Sequence, residues 1–73
     1  MGRRDDAIRT LTQSVNMHPD TPVAHNNLAH MLGEHGDMEG ALRNARRAVE
    51  LGRPHVTTYR QTLRELQVRE AAR

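Results

Sequence analysis

The chain has 73 residues, one aromatic residue (Tyr59), no cysteine and a formal net charge of +2. Such a length allows one domain that buries only about 60% of its unfolded surface, and the missing thiols exclude a disulfide framework and thiolate metal sites. No apolar run approaches the ~20 residues needed to cross a bilayer, and the opening residues lead into no apolar signal segment, so cytoplasmic residence is expected.

All 11 basic side chains are arginine, and 9 acids are interspersed with them. A nucleic-acid binder would show a more lopsided balance. Gly2 follows Met1, but the N-myristoylation pattern requires Ser or Thr where Asp6 stands.

The first predicted helix runs from about Asp5 to Met17, with Ile8, Leu11 and Val15 recurring at spacings of three and four. Asp5 and Asp6 complement the positive end of its dipole. Pro19 and Pro22 bracket a turn, with Thr21 expected as the side-chain N-cap and Pro22 at the first helical position. The second helix, about Pro22 to His35, buries Ala24, Leu28, Met31 and Leu32, and Gly36 is its left-handed stop. Asp37 caps the third, which runs to about Leu51 with Met38, Ala41, Leu42, Ala45, Ala48 and Val49 inward. Gly40 inside that helix costs about 1 kcal/mol against alanine and reads as a close approach to the neighbouring helix. Gly52 ends the segment and Pro54 lies at or near the start of the fourth helix. That helix carries Val56, Tyr59, Leu63 and Leu66 and is expected to fray over 67–73. The fold class is therefore all-α, with four helices joined by three tight turns.

A shift of about 34 residues pairs Ala7 with Ala41, Arg9 with Arg43, Val15 with Val49 and Gly2 with Gly36. Ile8 with Leu42 and Met17 with Leu51 are conservative partners, and Ser14 with Ala48 keeps a small side chain. In this spacing the chain resembles the tetratricopeptide repeat, W-x2-L-G-x2-Y, then A-x3-F, then a late proline. His25 stands for the Trp, Leu28 for the Leu, Ala29 for the Gly and Leu32 for the Tyr. Ala41 matches the following Ala, and Ala45 replaces the Phe. Ala7, Leu11, Ser14 and Pro19 match the back half of an earlier copy. The resemblance implies a right-handed array of α-hairpins: a half repeat at about 2–21, a full repeat at about 22–55 and a capping helix at about 56–70. For that last helix two registers stand open. A shift of about 35 pairs Leu28 with Leu63 and Met31 with Leu66, as a one-residue insertion near Gly52 would; a shift of about 34 places Tyr59 at the Trp position and pairs Leu32 with Leu66.

Arrays of this kind usually need about three units and a polar cap. With the leading helix lacking the partner it would pack against, Ile8, Leu11 and Val15 are expected to seek cover, either in a longer protein or by homo-oligomerisation. The resemblance further implies a concave groove for a protein or peptide partner. By position, Val23, Asn26, Asn27, His30, Gly33 and Glu34 of the second helix face it. Asn27 falls where carboxylate-clamp members keep an asparagine, whereas the matching places of the last helix hold Thr57 and Gln61. Arg60 and Arg64, one turn apart, would offer guanidinium groups to an acidic peptide.

Other chemistries find little support. His25, His30 and His35 are each five apart, a rotation of about 140° per step, so they share no helix face as a zinc pair at i, i+4 does. His30 and Glu34 do share a face, but two ligands are too few. His18 and His55 lie in turns. No metal or cofactor is therefore expected. Ser14 is the only serine and takes a small-residue packing position, and the five glycines form no phosphate loop, so the chain does not read as an enzyme. Arg43, Arg46 and Arg47 cluster on the outside of the third helix, without aromatic platforms for bases. The reading is a scaffold that binds protein and self-associates. A pure oligomerisation element is the first alternative and an RNA-binding accessory bundle the second.

Overall fold

A computed structural model describes residues 3–73, with the side chain of residue 4 left aside, so the Gly2 end of the expected half repeat lies outside the described residues. Four α-helices follow one another: α1 (Arg3–Met17), α2 (Pro22–His35), α3 (Met38–Leu51) and α4 (Val56–Ala71). No strand occurs among the described residues.

The turns follow from local chemistry. Thr21 occupies the N-cap position of α2 but makes no side-chain capping bond. There the helix starts on backbone alone, the amide of His25 donating to the Thr21 carbonyl at 3.3 Å, and Pro22 has no N–H to satisfy. At its other end Gly36, at φ 100°, closes a Schellman turn. Its amide donates to the Gly33 carbonyl, and the Asp37 amide donates to that of Leu32. Asp37 then caps α3, its carboxylate accepting from the Gly40 amide at 3.0 Å. A Cβ on Gly40 would stand 2.5 Å from that carboxylate and 3.2 Å from Leu32. The glycine is thus explained first by the cap and only second by the neighbouring helix. Gly52, at φ 80°, ends α3.

Two observations concern α4. The helix continues to Ala71, beyond buried Leu66, and is followed by an Arg73–Glu70 ion pair at 3.3 Å. Of the two registers left open for it, the helix ends follow the shorter shift. α2 begins at Pro22 and α4 at Val56, while α1 ends at Met17 and α3 at Leu51, the same offset of 34 in both cases. Burial follows that offset, with Tyr59 buried like His25 and Thr62 like Leu28. At an offset of 35, buried Thr62 would instead correspond to exposed Asn27. Pro54 is absorbed in the turn before α4.

Consecutive helices pack on one another, α4 also touches α2, and α1 touches α2 alone among the described helices. The Cα envelope of 31 × 30 × 15 Å is as thick as two helix layers at the usual 8–10 Å separation. Ala29 of α2 shares a core cluster with Ala41 and Ala45 of α3, all at 0% exposure, and Ala48 of α3 is equally buried. Leu66 enters that cluster from α4, with Met38, Leu42 and Leu63 around it. A second cluster joins Val15 of α1 to Ala24 and Leu28 of α2, with Ile8, Leu11 and Leu32 partly buried against it. Gly33 permits α4 to approach, since a Cβ there would lie 2.9 Å from the Leu66 side chain.

The small-residue seam has measurable consequences. Leu66→Ala should lower unfolding free energy by about 2–5 kcal/mol, and Ala45→Leu by about 1–3 kcal/mol or more through overpacking. Gly36→Ala meets no steric obstacle within 4 Å, so its loss of about 1–2 kcal/mol would be purely that of a left-handed alanine. Urea denaturation of each variant measures these values.

Candidate functional site

α2 is the helix on which the other three converge, and its side chains divide by the neighbour they meet. His25 turns toward α3 and is buried. Its Nε2 lies 2.9 Å from the Pro19 carbonyl and its Nδ1 3.0 Å from the Asn44 amide, which itself donates to the Gly40 carbonyl at 2.9 Å. One imidazole therefore ties the α1–α2 turn, α2 and α3 together in the position where the repeat pattern has an indole.

Asn27, His30 and Glu34 are exposed and lie at helical spacing on one stripe, with Val23 at its head. Of the six α2 residues expected to line a groove, these four share the exposed stripe. His30 is held in place, because its Nε2 donates to the Thr62 hydroxyl at 3.2 Å while that hydroxyl donates to the Thr58 carbonyl. A hydroxyl has one proton to give, which fixes the direction of both bonds.

Four expected members stand elsewhere. Asn26 is only 6% exposed, and its Oδ1 is buried without a hydrogen-bond partner, as is the hydroxyl of Tyr59. Asn26 is one residue out of phase with the exposed stripe, and 100° of helix rotation carries it into the packed side of α2. Gly33 faces Leu66. Arg60 and Arg64 are exposed, but each lies two residues from Thr62, hence about 160° around α4 from the side that meets His30. The side chains of α4 that reach toward α2 include Thr62 and Arg69, whose guanidinium lies 3.5 Å from the place of a Cβ on Gly33. Arg69 had no sequence signal, because only the helix crossing selects it over its neighbours.

The leading helix is less bare than its isolation suggests. Val15 is buried against α2, and Ile8 and Leu11 are partly covered by the same helix. Asp5 near the start of α1 lies 3.8 Å from His35 at the end of α2, so the two helices run antiparallel.

On the other side of α2, an open groove of about 890 Å³ runs between α1 and α3. Val15, His25, Leu28 and Leu32 form its floor, Thr12 and Asn16 one wall, and Arg43, Asn44 and Arg47 part of the other. Arg47 is engaged by Asp20 at 3.7 Å and Glu50 at 3.2 Å. Arg43 and Arg46 make no ion pair among the described residues. Sequence periodicity gave no sign of this groove, since it exists only because α1 and α3 both lean on α2 without touching each other.

Among the described residues no three or more His, Asp or Glu side chains cluster in a way that would hold a metal ion, and no helix is long and apolar enough to cross a membrane. The buried amide of Asn26 yields a prediction: Asn26→Leu removes an unpartnered carbonyl from the interior and should leave stability unchanged or raise it by about 1 kcal/mol in thermal unfolding. No family model matches the chain, and no curated protein or solved structure matches it significantly.

Proposed function

We propose that this chain is a tetratricopeptide-like helical-hairpin module that holds a peptide or helix of a partner protein against the exposed stripe Asn27, His30 and Glu34. One observation carries the reading. α2 is gripped by α1, α3 and α4, yet it leaves this single polar stripe open to solvent. Side chains on so constrained a helix lose little backbone freedom when a partner docks, which lowers the entropic cost of binding. Asparagine there can donate to and accept from a partner's backbone at once. The matching offset of 34 between helix ends supports the repeat resemblance. The proposal is of binding and not of catalysis: Ser14, the only serine, makes no side-chain hydrogen bond among the described residues. Arg60 and Arg64 belong to another surface and are left out of the contact.

Affinity capture with mass spectrometry tests this. Proteins retained by the parent chain should be lost by the Asn27→Ala/His30→Ala/Glu34→Ala variant and kept by Arg60→Ala/Arg64→Ala. Retention by both variants would refute the assignment. All five positions are exposed, so folding stability should stay within about 0.5 kcal/mol for the surface changes that break no bond, with a larger cost where a side-chain bond is lost, as at His30 and its Thr62 bond.

A second reading, self-association through α1, draws on the partial exposure of Ile8 and Leu11 and on the 73% exposure of Met17 at the end of the same helix. It predicts a sedimentation coefficient and a thermal midpoint that rise with protein concentration, and a well-folded monomer at all concentrations would dismiss it.

A further inference from the structure

The groove between α1 and α3 is separate from the Asn27 stripe, and its walls carry charge that the chain itself leaves unanswered. Of its acids, Asp37 is taken up by the Gly40 amide and Glu50 by Arg47, which leaves Glu39 alone at the lip. Of its arginines, Arg47 is shared between Asp20 and Glu50, whereas Arg43 and Arg46, one turn apart on α3, make no ion pair among the described residues. The floor beneath them is apolar and already well packed: Leu28 and Val15 are buried, and Leu32 remains partly accessible. Such a floor has room for one or two apolar side chains rather than for a broad apolar face.

We propose that this groove docks a carboxylate-rich amphipathic segment of another protein, with an apolar anchor seated over Leu32 and two carboxylates, one turn apart, on the Arg43 and Arg46 guanidinium groups. The planar fork of arginine suits a carboxylate in two-point contact. Thr12 and Asn16 on the opposite wall supply neutral donors and acceptors to the partner's remaining polar groups. A second copy of this chain is a poor occupant. α1, α3 and α4 each carry one more arginine than acid, and α2 has the single acid Glu34. Asp5 and Asp6 are adjacent, and neither Glu39 and Glu50 nor Glu65 and Glu70 lie three or four residues apart, so no helix here offers two carboxylates one turn apart. The occupant is therefore a different, acidic chain.

Selection from a displayed library of short random peptides, on the immobilised full chain, tests the proposal, with the Arg43→Glu/Arg46→Glu variant as counter-target. Enriched peptides should pair an apolar residue with Asp or Glu one turn apart. They should bind the double variant about tenfold more weakly or worse, the size of one lost charge-assisted hydrogen bond. In amide-resonance spectra they should shift Thr12, Leu32 and Asn44 and leave Asn27 and Glu34 in place. Arg43→Gln/Arg46→Gln should weaken binding in the same direction without reversing charge, and circular dichroism should show both variants folded. The proposal is overturned by a selection that enriches no peptides or peptides without acidic excess, by equal binding to the variants, or by shifts on the Asn27 stripe. It is equally overturned if a single-stranded oligonucleotide occupies Arg43 and Arg46 with no dependence on Leu32. A dimer of the parent chain that the double variant abolishes would overturn it too. Because the two faces are read by different resonances, its failure leaves the Asn27 assignment untouched.

Discussion

Three alanines with no exposed surface, Ala29 on α2 and Ala41 and Ala45 on α3, meet in the core between the central helices and let them approach closely. Residues of this size let two helices approach toward the short end of the usual interaxial range. What is gained in proximity is lost in buried apolar area, since an alanine removes far less surface from water than a leucine or an aromatic side chain. Leu66, Met38, Leu28 and Tyr59 therefore supply the bulk, and Leu66 matters most because it enters the alanine seam from a third helix.

A core this thin is completed by polar side chains that reach between elements. His25 spans the α1–α2 turn and α3, and His30 reaches Thr62 on α4. These bonds are directional, which an all-alanine contact is not, so they fix register where packing alone is permissive. Asn26 and Tyr59 show the other side of the same economy: each brings a polar atom inside and leaves it without a partner. Their positions are otherwise well packed, with Tyr59 2% exposed.

The placement of α2 at the centre has functional consequences. It contributes to both surfaces proposed to receive a partner, the polar stripe on one side and the groove floor on the other. The outward faces of α1 and α4 are polar along most of their length, interrupted by Met17 and Val68. Isolated apolar residues of that kind are ordinary on protein surfaces. The two proposed contacts thus use side chains held on the most constrained helix and the arginines beside it that make no ion pair among the described residues.

Helix identity and the three turns were legible in the chain because their causes are local: proline before α2, glycine at φ 100° and 80°, and the Asp37 cap act within a few residues. The offset of 34 and the exposure of Asn27, His30 and Glu34 were legible for the same reason, since periodicity places residues around a single helix axis. Periodicity says nothing about which neighbour a face meets. That Asn26 is enclosed, that Arg60 and Arg64 turn away from His30, and that α2 itself covers Val15 are outcomes of how helices cross. The groove between α1 and α3 likewise belongs to no single segment. Sequence alone thus determined the elements and their phase, and tertiary packing decided which side chains share a surface, because that depends on distances between residues far apart in the chain.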